Sequence, residues 1–293
     1  MKNVISCSRR TDIPAFHYGW LQGVLAEGSV RLVNRYNQKE YTVDLRPESV
    51  HSLVLWSRNY AYFLEDPGFL SNYPLYFQFT LTGYPKFLEP GVISEEEALR
   101  QMASLARAYS PGQINWRFDP LLFLPSPSLS QEAAGEERLQ TFERLARRIS
   151  GMGIRRCTVS FISLYSSVRS RLSREGLKLH EMEPEAQRRY AADLLERARA
   201  FEIDLFSCCQ PLLEGVPGIK GGSCIDGGLL QELFGEKTSK ARDTGQRKHC
   251  GCTRSLDIGS YRQECLHACL YCYAQNKNPA PPMAGLDFES KKL

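Results

Sequence analysis

The sequence predicts an α/β fold: a TIM-like β/α barrel, complete or partial, with a cysteine-rich C-terminal segment folding over the C-terminal rim of the strands. Three observations point that way. Short runs of β-branched and aromatic residues recur between residues 4 and 207. Helical patterns or long crossovers separate most of them, which parallel strands require. Cys224, Cys250, Cys252, Cys265, Cys269 and Cys272, out of 10 cysteines in all, crowd into one late segment.

The runs that read as strands are 4–7, 30–33, 52–56, 75–80, 114–118, 156–161 and 203–207. Residues 93–109 read as a helix, with Ser94 as N-cap and Glu97 completing a capping box. Residues 131–149, and 185–201 after Pro184, read the same way. The glycine-rich stretch 218–222 is either an eighth strand or a loop, and an open doubly wound sheet is the alternative architecture. The division expected is a barrel body over 1–215, a cysteine-rich iron–sulfur segment over 216–276 and a flexible tail over 277–293, where Pro279, Pro281 and Pro282 fall.

Polar residues gather where the predicted strands end. Ser8-Arg9-Arg10-Thr11-Asp12 follows the first, Asn34-Arg35-Tyr36-Asn37 the second and Ser57-Arg58-Asn59 the third. Thr80 to Tyr84, then Arg117 with Asp119-Pro120, then Ser160 with Ser163-Leu164-Tyr165, then Cys208-Cys209-Gln210 continue the series. In a parallel barrel these ends share one rim, where active sites form. Arg9, Arg10, Asp12, Arg117 and Asp119 are the catalytic candidates, and the rim suits an anionic or multiply hydrogen-bonding small molecule. Structural ion pairing of the same arginines with Asp12 and Asp119 is the plainer account of each.

Composition sets the context. With 293 residues, 42% hydrophobic and 24% charged, the chain can bury a full core. No stretch approaches the roughly 20 apolar residues that span a bilayer, and the first residues lack a signal-peptide core, so no membrane partner and a cytoplasmic location are expected. Clustered cysteines in a reducing compartment favour metal over cystine. A net charge of +4 neither requires nor excludes nucleic acid.

The run Cys265-Leu266-His267-Ala268-Cys269-Leu270-Tyr271-Cys272 has C-x3-C-x2-C spacing, which suits three irons of a [4Fe-4S] cluster and leaves the fourth iron open. Structural zinc competes, because Cys250-Gly251-Cys252 and Cys269-x-x-Cys272 can form a tetrathiolate site. A redox dithiol fits less well, since no single C-x-x-C follows a first strand. A second site would draw on Cys224, Cys250 and Cys252 with Cys208 or Cys209, beside Arg247 and Lys248. Cys7 and Cys157 sit in strand patterns and read as packing residues.

The segment from Cys265 to Ala274 resembles the cluster loop of radical S-adenosylmethionine enzymes, especially the C-x-H-x-C-x-Y-C-Y-A form of spore photoproduct lyase-like members. More of the chain resembles a bacterial family, domain-of-unknown-function family 1848. Its matching pieces are Ser8 to Phe16, Phe77 to Tyr84, Trp116 to Pro120, Gly222 to Asp226 and Cys252 to Ala274. The first resemblance implies that Cys265, Cys269 and Cys272 ligate the cluster, and that S-adenosylmethionine chelates the open iron and yields a 5′-deoxyadenosyl radical on reduction. It further implies an electron donor such as flavodoxin or ferredoxin. Tyr271, Tyr273, Arg58 and Asn59 are the cofactor-binding candidates. Two departures stand out: the loop follows the last strand or helix rather than the first strand, and the glycine-glycine-glutamate motif is missing, with Gly221-Gly222-Ser223 a weak stand-in.

The expectation is therefore an iron–sulfur enzyme acting on a small substrate. The alternatives are a metal-stabilised ligand-binding barrel without turnover and a nucleic-acid repair or modification enzyme using the basic residues Lys237, Lys240, Arg242, Arg247 and Lys248. Asp257 to Tyr261 is expected to turn the chain into the cysteine loop, and Trp20 and Trp56 to be core aromatics.

Overall fold

A computed structural model describes residues 1–33, 38–124, 131–177, 179 and 181–274. Alternation of side chains along extended segments builds an eight-stranded parallel sheet. Its strands in chain order are β1 (Asn3–Cys7), β4 (Val50–Ser57), β5 (Leu75–Thr80), β6 (Ile114–Arg117), β7 (Arg156–Val159), β8 (Asp204–Cys208), β9 (Lys220–Gly222) and β10 (Leu256–Asp257). The spatial order is β10-β1-β4-β5-β6-β7-β8-β9, every neighbouring pair being parallel. Among the described residues no ladder joins the edge strands β9 and β10. β2 (Ser29–Val33) and β3 (Glu40–Asp44) form a separate antiparallel pair.

The run at 30–33, expected as the second barrel strand, is thus an outlying hairpin strand. Arg31 and Val33 on it are exposed, and a lone hairpin needs no second buried face. Asn34, Arg35, Tyr36 and Asn37, assigned to the rim on that reading, lie outside the described residues, as does the predicted tail at 277–293. The stretch at 218–222 does supply a strand, β9; a Cβ on Gly222 would overlap the Ser207 carbonyl oxygen, so only glycine fits that approach. β10 falls where a simple turn was expected. Both edge strands, β9 and β10, thus come from the segment after residue 215.

Helices connect the strands: α1 (Ile13–Phe16), α2 (Tyr18–Ala26), α3 (Ala61–Glu65), α4 (Glu95–Ala108), α5 (Gln131–Ser150), α6 (Ser166–Arg174), α7 (Pro184–Arg199), α8 (Pro211–Glu214) and α9 (Gly227–Phe234). The three long helices, α4, α5 and α7, are those the periodicity predicts. Ser94 caps α4 by accepting from the Glu97 amide at 3.2 Å, with Glu95, Glu96 and Glu97 in the positive first turn.

Strand alternation divides the interior. Ile5, Cys7, Leu53, Leu55, Phe77, Phe79, Trp116 and Cys157 turn to the helices and form the main core, where Trp116 stacks on Phe142 of α5 at 5.0 Å. Cys7 and Cys157 are fully buried there, as packing residues are, and burial pushes both thiols up. The opposite face carries Val4, Val54, Trp56, Tyr76 and Cys208 with polar Ser6, Gln78, Asn115, Arg117 and Thr158. Leu229, Leu230, Leu233 and Phe234 of α9 pack against this inner face.

Candidate functional site

Two groups of thiols occupy the inner face and the C-terminal strand ends. The cysteine loop is held across those ends by contacts distant in sequence. His267 places Nε2 at 2.8 Å from Asp12 Oδ2 and Nδ1 at 3.2 Å from the Gly91 carbonyl oxygen. The Gly91 amide donates back to the His267 carbonyl at 3.0 Å, and a Cβ on Gly91 would overlap the Leu266 carbonyl oxygen. Leu270 N–H donates to the Leu88 carbonyl at 3.0 Å. Arg171 of α6 donates to the carbonyls of Leu270 and Cys272, at 2.8 Å each.

A buried polar triad completes the clamp. Arg58 Nη2 donates to the Tyr271 hydroxyl at 2.6 Å, and Arg58 Nη1 lies 2.9 Å from Glu89 Oε1 as an ion pair without hydrogen-bond alignment. Tyr271 donates to Glu89, and Thr82 Oγ1 donates to Glu89 at 2.7 Å. Burial opposes the Arg58 charge, but Tyr271, Cys269, Glu89 and Cys272 around it hold that charge firmly. Cys269, Tyr271 and Cys272 also pack in a small apolar cluster with Leu88, Val92, Leu122, Val168 and Leu172.

Within the loop, Cys265, Cys269 and Cys272 are electrostatic neighbours. Burial, then the Asp12 charge, pushes Cys265 up to about 12; burial pushes Cys269 up to about 12 against the pull of Arg58. Among the described residues no group of three or more His, Cys, Asp or Glu side chains is arranged to hold a metal ion. A cubane makes a different demand, because each iron takes one thiolate and the ligands stand apart. Three neighbouring thiols, with a buried guanidinium to offset negative charge, suit that donor chemistry.

The second group is a ring. Cys208 neighbours Cys209 and Cys224, Cys224 neighbours Cys252, and Cys250 neighbours both Cys252 and Cys209. Cys208 Sγ and Cys224 Sγ are 3.4 Å apart. Arg117 Nη1 donates to Cys224 Sγ at 3.1 Å, Arg247 Nη2 lies 3.9 Å from Cys208 Sγ, and Arg9 adds its charge beside Cys252 and Cys224. S–H donation from Cys208 and Cys252, then the Arg117 charge working against burial, draws the Cys224 thiol well below its ordinary range. Cys209 and Cys252 draw Cys250 down to about 3.

The sheet positions this ring through its backbone. Gln78 of β5 donates to the Cys224 carbonyl at 2.6 Å and accepts from Asn115 at 2.7 Å; Thr253 N–H donates to the Ile225 carbonyl at 2.9 Å. Arg9 and Arg117, beside the ring thiols, hold their guanidinium carbons 5.6 and 5.2 Å from the Trp56 ring. Tyr273 donates to the Arg9 carbonyl at 3.1 Å, and its ring lies 6.1 Å from Tyr165; both tyrosines are exposed. Arg117 pairs with Asp119 at 2.5 Å, and Ser160 donates to Asp119.

Other candidates take structural positions. Asp12 caps α1 through the Ala15 amide at 3.0 Å and accepts from the Arg58 amide at 2.9 Å, so it holds the rim together. Arg10 donates to the Gly259 carbonyl at 2.8 Å. Asn59 Oδ1 accepts from the Ala61 amide at 3.1 Å and from Gln101 at 2.8 Å, and Tyr271 is buried in the clamp. Trp56, partly buried, packs against the inner-face cluster, and Trp20 packs at the edge of the main core. Sequence reasoning did not single out Glu89, Gly91, Arg171 or Gln78, each of which meets a residue far along the chain: Tyr271, His267, Cys272 and Cys224. It also missed the Asp257 carboxylate, which accepts from Ser8 Oγ at 2.7 Å and Ser6 Oγ at 2.9 Å. Depressions of about 420 Å³ near Phe16, Gln22 and Asp66, and of about 360 Å³ near Glu136, Arg197 and Phe201, lie in the helical layer away from the thiols.

A parallel α/β protein with two thiol groups along the C-terminal ends and inner face of its sheet is what these features define. The chain belongs to the family described as domain of unknown function (DUF1848), whose profile matches residues 4–274. No curated protein gives a significant match.

Proposed function

We propose that this chain is an iron–sulfur enzyme of the radical S-adenosylmethionine kind, with Cys265, Cys269 and Cys272 as the ligands of a [4Fe-4S] cluster. The observation that carries the reading is that a C-x3-C-x2-C loop has its three thiols together at the C-terminal strand ends, clamped there by Asp12–His267 and Arg58–Glu89–Tyr271. The bound cluster and S-adenosylmethionine would supply one-electron reductive cleavage of the sulfonium and a hydrogen-abstracting radical. The protein's own residues have the complementary tasks. Arg58 offsets negative charge beside Cys269 and Cys272, and the apolar cluster around Leu88, Leu122 and Leu172 keeps water from the loop. Arg9 and the exposed Tyr273 and Tyr165 line the approach and suit a small anionic substrate. On this reading the eight strands act as an incomplete β/α barrel, and the segment between β9 and β10 occupies the gap.

The test is product release. Iron-replete, dithionite-reduced protein incubated with S-adenosylmethionine should yield methionine and 5′-deoxyadenosine, and Cys269→Ser should reduce both to background. Iron-replete protein that leaves S-adenosylmethionine intact, or that holds zinc in place of iron at the loop, would contradict the proposal.

A further inference from the structure

The five-thiol ring has no task in the reading above, and its surroundings are not those of packing cysteines. Cys7 and Cys157 show what packing looks like here: each sits alone in the helix-facing core among aliphatic and aromatic side chains. Cys208, Cys224, Cys250 and Cys252 instead converge from β8, the end of β9 and the approach to β10, all buried, with Cys209 half-exposed beside them. Three guanidinium groups attend them. Two have carboxylate partners, Arg117 with Asp119 and Arg9 with Asp257 at 3.9 Å; among the described contacts of Arg247 the hydrogen bond is to sulfur. Arg247 is exposed, but Arg117 is buried and donates to Cys224 Sγ, and a guanidinium so placed favours thiolate and offsets the negative charge of a thiolate-bound metal.

The geometry points to a second iron–sulfur cluster, ligated by Cys208, Cys224, Cys250 and Cys252 against the inner face of the sheet and distinct from the C-terminal loop. A sulfur-only donor set selects thiophilic metals, and Arg117 and Arg247 are placed to donate to ligand sulfurs, the kind of contact that tunes a cluster. Val54, Tyr76, Ile225 and Leu230 wall the site with apolar surface, and Gln78 fixes the Cys224 backbone. Four protein thiolates leave no open iron, so this cluster does not bind S-adenosylmethionine. Cys209, whose φ of 57° turns it into the left-handed region, stands outside the ligand set.

The experiment counts iron, acid-labile sulfide and zinc per full-length chain after anaerobic purification. Wild type should carry about eight irons, and both Cys224→Ser and the triple variant Cys265→Ser/Cys269→Ser/Cys272→Ser about four each. The triple variant should retain a reduced-cluster paramagnetic signal indifferent to S-adenosylmethionine, and Cys209→Ser should keep the wild-type count. Wild type with about four irons that all vanish in the triple variant would overturn the inference, as would zinc in that variant. Iron unchanged by the triple variant but lost in Cys224→Ser would uphold this site and overturn the loop cluster instead. Should Cys224→Ser not fold, the wild-type and triple-variant counts decide alone.

Discussion

The two thiol groups are built in opposite ways. The C-terminal loop is an addition clamped by side chains: Asp12, Arg58 and Glu89 reach it from the segments that follow β1, β4 and β5, and Arg171 from α6. The ring of five thiols is anchored to the sheet at one point, Cys208 at the end of β8; Cys224 lies just past β9, where Gln78 from β5 holds its carbonyl, and Cys209, Cys250 and Cys252 come from connecting segments. A loop fastened by a few polar contacts can shift when a ligand arrives; Cys208, fastened by a parallel ladder, cannot shift far. That contrast suits an open, ligand-binding metal site at the rim and a closed one beneath it.

The strongest way to break the contrast is to remove the clamp's charge. Glu89→Gln leaves the Arg58 guanidinium buried without its carboxylate and should cost about 3 kcal/mol, read as a lower denaturation midpoint. Loop metal should be lost with it while ring metal stays. An unchanged midpoint would mean that Arg58 finds another partner. Asp12→Asn is milder. It keeps the shape but weakens charge-assisted bonds to His267, Arg58 and Ala15, and should cost about 2 kcal/mol. Amide exchange should quicken over 264–272 and not over 204–208. Uniform quickening would show the two regions to be one unit.

Gly91→Ala tests the close approach. Its new methyl meets the Leu266 carbonyl, so the loop must move, and the affinity for S-adenosylmethionine should fall several-fold at nearly constant global stability. Equal affinity would mean the loop has slack. The smallest effect is expected from Cys7→Ala, which trims one atom from the helix-facing core. It should cost about 1 kcal/mol and leave metal content untouched; metal loss would assign that thiol a role the fold denies it.

Much of this contrast was legible in the sequence. Six of the main sheet's strands announce themselves as β-branched or aromatic runs, and the C-x3-C-x2-C spacing marks the rim loop. The run at 30–33 misled because its composition matches a buried strand, and only its partner β3, with Glu40 and Tyr41 exposed, reveals a surface hairpin. β10 is two residues long, too short for any periodicity. Glu89 and Arg171 carry no local mark; their importance arises from folding that brings them to Tyr271, Leu270 and Cys272. The five inner cysteines were countable, but their closure into a ring depends on β8, β9 and the start of β10 meeting in space.

The most direct test of the open-rim, closed-interior account is electron paramagnetic resonance of anaerobically purified, dithionite-reduced protein with and without S-adenosylmethionine. The account predicts two overlapping reduced-cluster signals, of which one shifts on adding S-adenosylmethionine and disappears in Cys269→Ser while the other stays. A spectrum wholly indifferent to S-adenosylmethionine, or protein that carries zinc and no iron, would contradict it.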